Sequence, residues 1–405
     1  MKIILIATIA LLLFSCNNDT NKASIVNINA TTGEQNLIVV DQDYMKAKEI
    51  ASEEGKLLFI DFYTTWCAPC KQLDKFVFQK DSITQILSKD FVLLKYDAEN
   101  DTIFHLAKKH HVSSYPTAIV LNQDGYVVNR KYGFLGDDFQ TLSQSVMDFT
   151  NEAITLDKGN KYLKGYSNTI EETRYPQFYI DYVNRTNTKP QTSSIVEFLN
   201  SKTDFFKEED FTPLFYFGQF APANVGDIIV KDKERYFDLY GKQDVELLLF
   251  FITSGKFSKA IAENSQEKYN EAVAFAKQAL SQDWVDDILP RFEIDLLKAQ
   301  NKWDEVFTLY EERKNRGDLS EGELNHFCWG VYKNCDDKEV ISKAVAWMKE
   351  LTERKPEYLY LDTYAYLLYK SGDLKKTGEV IRLGLKTAEE EKVSAKSMEK
   401  LLKKL

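Results

Sequence analysis

Several things are scarce in this chain of 405 residues, and each scarcity excludes something. Five cysteines are too few for a disulfide framework at this length. There are only four histidines, and no carboxylates or thiols accompany them at ligand spacing, so no metal site is expected. Basic charge falls short of acidic, 52 Lys and Arg against 62 Asp and Glu, and no basic patch is present, which argues against a nucleic-acid partner. Long apolar runs are missing as well. The run Ile3 to Phe14 is 12 residues, too short to span a bilayer comfortably but suited to the core of a signal peptide. From Asn151 onward strand signals nearly vanish.

What is present is ordinary globular material, 44% apolar, with a length that suggests two or three domains. One stretch stands out. The apolar run Leu57 to Ile60 lacks alternation and reads as a strand buried on both faces. It leads through Asp61-Phe62-Tyr63 and a turn at Thr64–Trp66 into Cys67-Ala68-Pro69-Cys70, and helical spacing follows. Cys67 then sits at a helix N-terminus, where unpaired N–H groups and the helix dipole favour a thiolate. A free cysteine titrates near 8.5, and a Cys-x-x-Cys setting commonly lowers that to roughly 7. Cys67 is the natural nucleophile, and Cys70 is in reach to resolve the mixed disulfide that it forms. Pro69 is tolerated early in a helix.

Asp61 is a carboxylate in an otherwise apolar strand. Burial raises the pKa of such a group, which suits one that takes and returns a proton when Cys70 attacks. A capped or paired strand-end aspartate is the alternative; beside the cysteine pair the proton role is preferred. Downstream, Tyr115-Pro116 precedes the apolar run Thr117 to Leu121. A cis bond there makes a tight entry turn for a strand whose first residue has no N–H to donate.

These residues together resemble the thioredoxin family: Asp61-Phe62, Trp66-Cys67-Ala68-Pro69-Cys70-Lys71, Tyr115-Pro116-Thr117 and Asp124-Gly125. The resemblance covers roughly residues 36–150. It implies an α/β thioredoxin fold, a central mixed sheet flanked by helices. It also implies Cys67 as attacking thiol, Cys70 as resolving thiol, Asp61 as buried acid and Pro116 as the cis proline, with Trp66 and Tyr115 contacting substrate. The pattern departs at one point. The lysine that many members carry four residues before the aspartate ending the next strand is Leu93 here, before Asp97, and the nearest lysine is Lys95. The partner of Asp61 is therefore left open, and with it the tuning of Cys70.

The expected order over 36–150 is β-α-β-α-β-α-β-β-α. Its helices include one from Asp101 to Lys109 and a last one from Asp137-Asp138 to about Thr150. His105, His110 and His111 are read as decorating an exposed helix. Before this domain, Leu13-Phe14-Ser15-Cys16 resembles the lipobox of bacterial lipoproteins, with residues 1–16 as signal peptide and Cys16 as the lipidated residue. Residues 17–35, rich in Asn, Thr, Ser and Ala, read as a flexible tether.

Residues 151–241 read as short helices and linker, broken at Pro176, Pro190 and Pro213. Over 242–405 an internal repeat appears, an apolar helix, a small turn and a second helix. The expected turns lie at Ser254-Gly255, Ala299-Gln300, Asn334-Cys335 and Ser371-Gly372. Positions 255, 300, 335 and 372 step by 45, 35 and 37 residues. Leu361 to Leu374 resembles the first helix and turn of a tetratricopeptide repeat, whose period is near 34. An all-α helical-repeat domain is expected, with a surface for a protein partner. Cys328 and Cys335 are seven apart, about 10.5 Å of rise on a continuous helix. A disulfide needs about 4.4–6.8 Å, so both read as buried small apolar residues.

The function expected from all this is an extracytoplasmic, membrane-anchored thiol–disulfide oxidoreductase that reduces disulfides of client proteins through the Cys67–Cys70 dithiol. It needs no cofactor, a membrane electron donor supplies it, and it faces the periplasm from a lipid anchor in a bacterial cell envelope. The alternative is a non-enzymatic envelope scaffold, in which the repeats bind a protein and the thioredoxin unit is structural. The intact cysteine pair favours the enzyme.

Overall fold

The computed structural model describes residues 36–405. The expected signal peptide, Cys16 and the tether lie outside them. Among the described residues no helix is long and apolar enough to cross a membrane.

In chain order, β1 (Ile38–Asp41) and α1 (Tyr44–Glu53) precede β2 (Leu57–Tyr63). Helices α2 (Ala68–Leu73) and α3 (Asp81–Leu87) lead to β3 (Phe91–Asp97). The one-turn α4 (Leu106–Lys109) leads to β4 (Thr117–Leu121), β5 (Val127–Tyr132) and the long α5 (Phe139–Lys158). The strands form one mixed sheet in the order β1-β3-β2-β4-β5. Strand β3 runs parallel to both β1 and β2, whereas β4 runs antiparallel to β2 and β5. The central strand β2 is buried at its first six positions, as its unbroken apolar run requires. On one of its faces Phe59 meets Phe78, Phe91 and Phe149 edge to face, at 5.8, 6.3 and 5.7 Å between ring centres.

Two helices differ from expectation for local reasons. α5 runs to Lys158 rather than Thr150, because its apolar stripe Leu142, Val146, Phe149 and Ala153 continues at helical spacing until Gly159. The helix expected from Asp101 forms only over Leu106–Lys109. The Asp101 carboxylate instead accepts from the N–H groups of Leu106 and Ala107, at 3.1 and 2.8 Å. It serves the helix from outside while half-buried His105 takes a left-handed conformation, φ 54°.

The histidine reading needs correction. His110 and His111 are buried, at 1% and 0% exposure, not displayed on an exposed helix. What covers them is the stretch expected as linker. Helices α6 (Gln177–Val183), α7 (Thr192–Asn200), α8 (Glu208–Phe217), α9 (Ala223–Lys231), α10 (Lys233–Tyr240) and α11 (Lys242–Ala262) follow α5. Residues up to Leu249 form one compact unit with the sheet. Tyr166, Tyr179, Phe211, Phe215 and Tyr240 are buried within it. Burial and the neighbouring Arg130 charge hold the His111 imidazole down to about 4, and His110 lies well below its usual range for similar reasons. Pro213 does not break the chain but stands inside α8.

From Phe250 to Leu405 the second unit is all helical. After α11 come α12 (Gln266–Ala279), α13 (Gln282–Ala299), α14 (Trp303–Arg316), α15 (Glu321–Asn334), α16 (Lys338–Arg354), α17 (Tyr358–Ser371), α18 (Leu374–Glu391) and α19 (Lys396–Leu402). The turn expected at Ser254-Gly255 is absent. α11 continues through it, because buried Ile252, Phe257 and Ala260 belong to one stripe, and it ends before Asn264 in a left-handed conformation. With that correction the first helices of successive pairs end at Ala262, Ala299, Asn334 and Ser371, spaced 37, 35 and 37 residues apart. In the C-terminal part α15 packs on α16 and α17, α14 on α16, and α17 on α16, α18 and α19. A stack of helix pairs has that pattern. Its core includes Tyr310 against Phe327 and Phe307 against Trp347, with ring centres 4.1 and 4.2 Å apart. Cys328 and Cys335 are free thiols buried in it, as expected.

Two glycines of this unit give opposite expectations. Gly372 ends α17 at φ 91°, and nothing lies near where its Cβ would be. Gly372→Ala then costs only the left-handed backbone, about 1–2 kcal/mol. Gly330 is interior to α15 with open space beside it, so Gly330→Ala stabilises by about 0.5–1 kcal/mol. Denaturant unfolding followed by tryptophan fluorescence measures both.

Candidate active site

Strand β2 ends at Tyr63, and Thr64–Trp66 turn the chain so that Cys67 becomes the residue capping α2. Its sulfur accepts a hydrogen bond from the Cys70 N–H at 3.1 Å, one of the N–H groups that a helix start leaves unpaired. Pro69 falls at the second helical position, where no intrahelical donor is required. The two cysteines are joined, with an S–S distance of 2.05 Å and Cα atoms 5.3 Å apart. Both are buried, while the adjacent Trp66 is 63% exposed.

Tyr115–Pro116 is a cis peptide. The antiparallel register pairs Phe62 of β2 with Thr117 of β4, so Pro116 comes level with Tyr63, at the sheet end where the chain turns toward Cys67. The Trp66 and Tyr115 rings meet edge to face, 6.0 Å between centres. Burial pushes the Tyr115 hydroxyl up to about 12, so it stays a neutral phenol. The sequence-derived residues Cys67, Cys70, Trp66, Tyr115 and Pro116 thus gather at one end of the sheet. Cys16 lies outside the described residues.

Asp61 is fully buried, and its partner is Lys95. The parallel pairing of β2 and β3 sets Asp61 opposite Lys95, and Lys95 Nζ lies 2.5 Å from Asp61 Oδ2. The same ammonium lies 2.5 Å from Asp74 Oδ1. Asp74 opens a five-residue π-helical turn, Asp74–Phe78, that continues α2. Lysine in place of leucine at position 93 was the family pattern. Residues 93 and 95 point to the same face of a strand, so a shift of two places keeps the charge on the correct side. That parity is the signal that makes Lys95 findable from sequence. Asp74 carried no comparable signal, because it reads as an ordinary polar position on a helix.

Three charges share this pocket. Burial raises the Asp61 carboxyl above its ordinary range, against the lowering pull of Lys95. Burial also opposes the charge on Lys95, but the two carboxylates outweigh it and lift the ammonium to about 12. Lys95 stays charged. Asp61 Oδ1 has no hydrogen-bond partner in the protein.

A raised carboxyl destabilises the fold when ionised. The folded state holds the Asp61 proton to higher pH than the unfolded chain, whose carboxyl titrates near 4. Stability therefore falls as pH rises from about 4 through the raised folded value. Asp61→Asn is expected to remove that slope. Urea midpoints of both proteins between acid and neutral pH measure the difference.

The chain is similar to several known proteins over this domain. A thioredoxin-like domain family matches residues 44–147. Thioredoxin-1 of Drosophila melanogaster is 36% identical over 96 residues, 24% of this chain and 81% of that protein. The thioredoxin of Borreliella burgdorferi is 32% identical over 117 residues, 29% of this chain and 95% of that one. The thiol:disulfide interchange protein DsbD of Actinobacillus pleuropneumoniae is 26% identical over 128 residues, 31% of this chain and 21% of that protein. A solved structure of a putative disulphide-isomerase from Bacteroides thetaiotaomicron is 34% identical, covering 29% of this chain and 97% of its own, with a TM-score of 0.25. With its joined Cys67–Cys70 pair, cis Pro116 and buried Asp61, the chain belongs to the thioredoxin family and is a thiol–disulfide oxidoreductase.

Proposed function

We propose that this protein reduces disulfides in client proteins outside the cytoplasm of a bacterium, from a lipid anchor at Cys16. The observation that carries the reductase reading is the cysteine pair at the start of α2, in a family-type sequence Trp66-Cys67-Ala68-Pro69-Cys70-Lys71, with the Asp61–Lys95–Asp74 charges behind it.

In the reduced state the Cys67 thiolate attacks one sulfur of a client disulfide. A Cys67–client bond forms, and the other client sulfur leaves as a thiolate. Asp61 takes the proton of Cys70 as that sulfur attacks Cys67 Sγ. The mixed disulfide breaks, the second client thiolate leaves, and Asp61 returns the proton to it. Two electrons have passed to the client, and the Cys67–Cys70 disulfide remains. A redox partner with a dithiol must return two electrons before the next cycle, and a donor in the membrane suits an exported enzyme. Lys95 stays positive throughout and holds down the cost of ionising Asp61 between turnovers. Trp66 and Tyr115 form the aromatic rim on which the client segment lies.

Support for the anchor is the sequence Leu13-Phe14-Ser15-Cys16 after a 12-residue apolar run. Expression in a bacterium with tritiated palmitate labels the wild type and leaves it in the membrane fraction; Cys16→Ser loses the label. An unlabelled wild type defeats the anchor but leaves the chemistry standing. The helical stack is the surface for a protein partner, on the tetratricopeptide likeness of Leu361 to Leu374.

With insulin as client, Cys67→Ser is expected to lose turnover at least about a hundredfold. Cys70→Ser is expected to accumulate the mixed disulfide, seen on a non-reducing gel. Retention of wild-type turnover by Cys67→Ser defeats the proposal. Removing the Lys95 charge raises the Asp61 pKa further, because an opposite charge within contact lowers a carboxyl by about 1–3 units. Lys95→Met therefore moves the acid limb of the pH–rate profile to higher pH by that amount.

A further inference from the structure

The family match ends at residue 147, yet the helices beyond it reach one short segment of the matched domain with unusual completeness. The five consecutive residues 108–112 are all buried, and each is held by a polar contact. Tyr179 Oη of α6 donates to the Lys108 carbonyl at 2.5 Å. Lys109 Nζ lies 2.6 Å from Glu208 Oε1 of α8. Arg130 Nη2 of β5 donates to the His110 carbonyl at 3.0 Å. His111 Nε2 lies 2.8 Å from Asp244 Oδ2 of α11, and Tyr216 Oη of α8 donates to the Val112 carbonyl at 2.8 Å.

The contacts interlock. Asp244 Oδ2 also meets Arg130 Nε at 3.0 Å and accepts from Tyr166 Oη at 3.1 Å. The His111 ring packs on Phe215 with centres 4.3 Å apart. Lys108-Lys109-His110-His111 is a buried run of basic residues. Within it α8 brings Glu208 to Lys109 and α11 brings Asp244 to His111. Immediately after it the chain emerges: Ser113 and Ser114 are exposed, then come Tyr115, cis Pro116 and β4.

We infer that α6, α8 and the start of α11 belong to the client-binding apparatus, because they clamp the base of the Ser113–Pro116 loop and so set where Tyr115 and Pro116 meet a client polypeptide. Tyr179 and Tyr216 are positioning residues in this arrangement. They act through the backbone of Lys108 and Val112, and the chemistry of the cysteine pair does not pass through them. The clamp rests on the reductase reading, since only an enzyme that takes clients needs a fixed loop.

The test uses the full-length chain with Tyr179→Phe, Tyr216→Phe and the double variant, each losing only hydroxyl groups. Circular dichroism and melting identify the variants that fold, and if the double variant does not fold, the single ones carry the test. Amide hydrogen exchange over residues 112–118 is expected to rise about tenfold, and the KM for insulin to rise about five- to tenfold, the weight of one or two ordinary hydrogen bonds. The rate with oxidised glutathione and the Cys67–Cys70 equilibrium with glutathione are expected to stay within about twofold, because a loop clamp leaves the sulfur chemistry alone. A folded variant with unchanged insulin KM overturns the inference, as does one with unchanged loop exchange. A wild type that reduces neither insulin nor glutathione defeats the reductase reading instead, and the loop exchange then decides the clamp by itself.

Discussion

A carboxylate fully buried in the central strand is the constraint that the redox site depends on. Asp61 has no solvent, and an isolated charge there would cost several kcal/mol. The fold answers with one ammonium shared between two acids. Strand pairing fixes Lys95 opposite Asp61, and the π-helical turn after α2 carries Asp74 to the same ammonium. The lysine is itself largely covered, with its Nζ 4.8 Å from the centre of the Tyr63 ring and 5.1 Å from that of Phe78. Such a pair adds little net stability; in the proposed mechanism it serves as the proton acceptor.

The same logic recurs away from the sulfur atoms. Lys109 is buried against Glu208 and Arg130 against Asp244, whose helices lie outside the matched thioredoxin-like region. A charge buried with a partner from a distant part of the chain makes the two parts interdependent, because breaking the pair leaves an unpaired ion in the core. Such pairs tie helices beyond the matched region to it within the unit that ends at Leu249.

Much of the redox site was legible in the sequence because its signals are local. An unbroken apolar run gives a buried strand, Cys-x-x-Cys with Pro69 gives a helix start, and Tyr115-Pro116 before a strand gives the cis turn. The partner of Asp61 was less legible because it depends on register, which only strand parity hints at. The burial of His110 and His111 was not legible at all. The acidic partners of the neighbouring Lys109 and of His111 lie 99 and 133 residues away, and no local pattern announces such contacts. In the helical unit the glycine at 255 misled, because glycine usually marks a turn. Here the apolar stripe of α11 carries the helix past it, and the repeat spacing becomes regular only when the turn moves to Asn264.

The central claim is that this pair works as a reductant. The most direct measurement is the equilibrium reduction potential of Cys67–Cys70 in the chain, titrated against a glutathione or dithiothreitol series. Family members span about −270 to −120 mV, and about 30 mV is tenfold in the two-electron equilibrium. The account predicts a value near −250 mV or lower, that of a reductase fed by a donor. A value near −150 mV or higher contradicts it and describes an oxidase or isomerase instead.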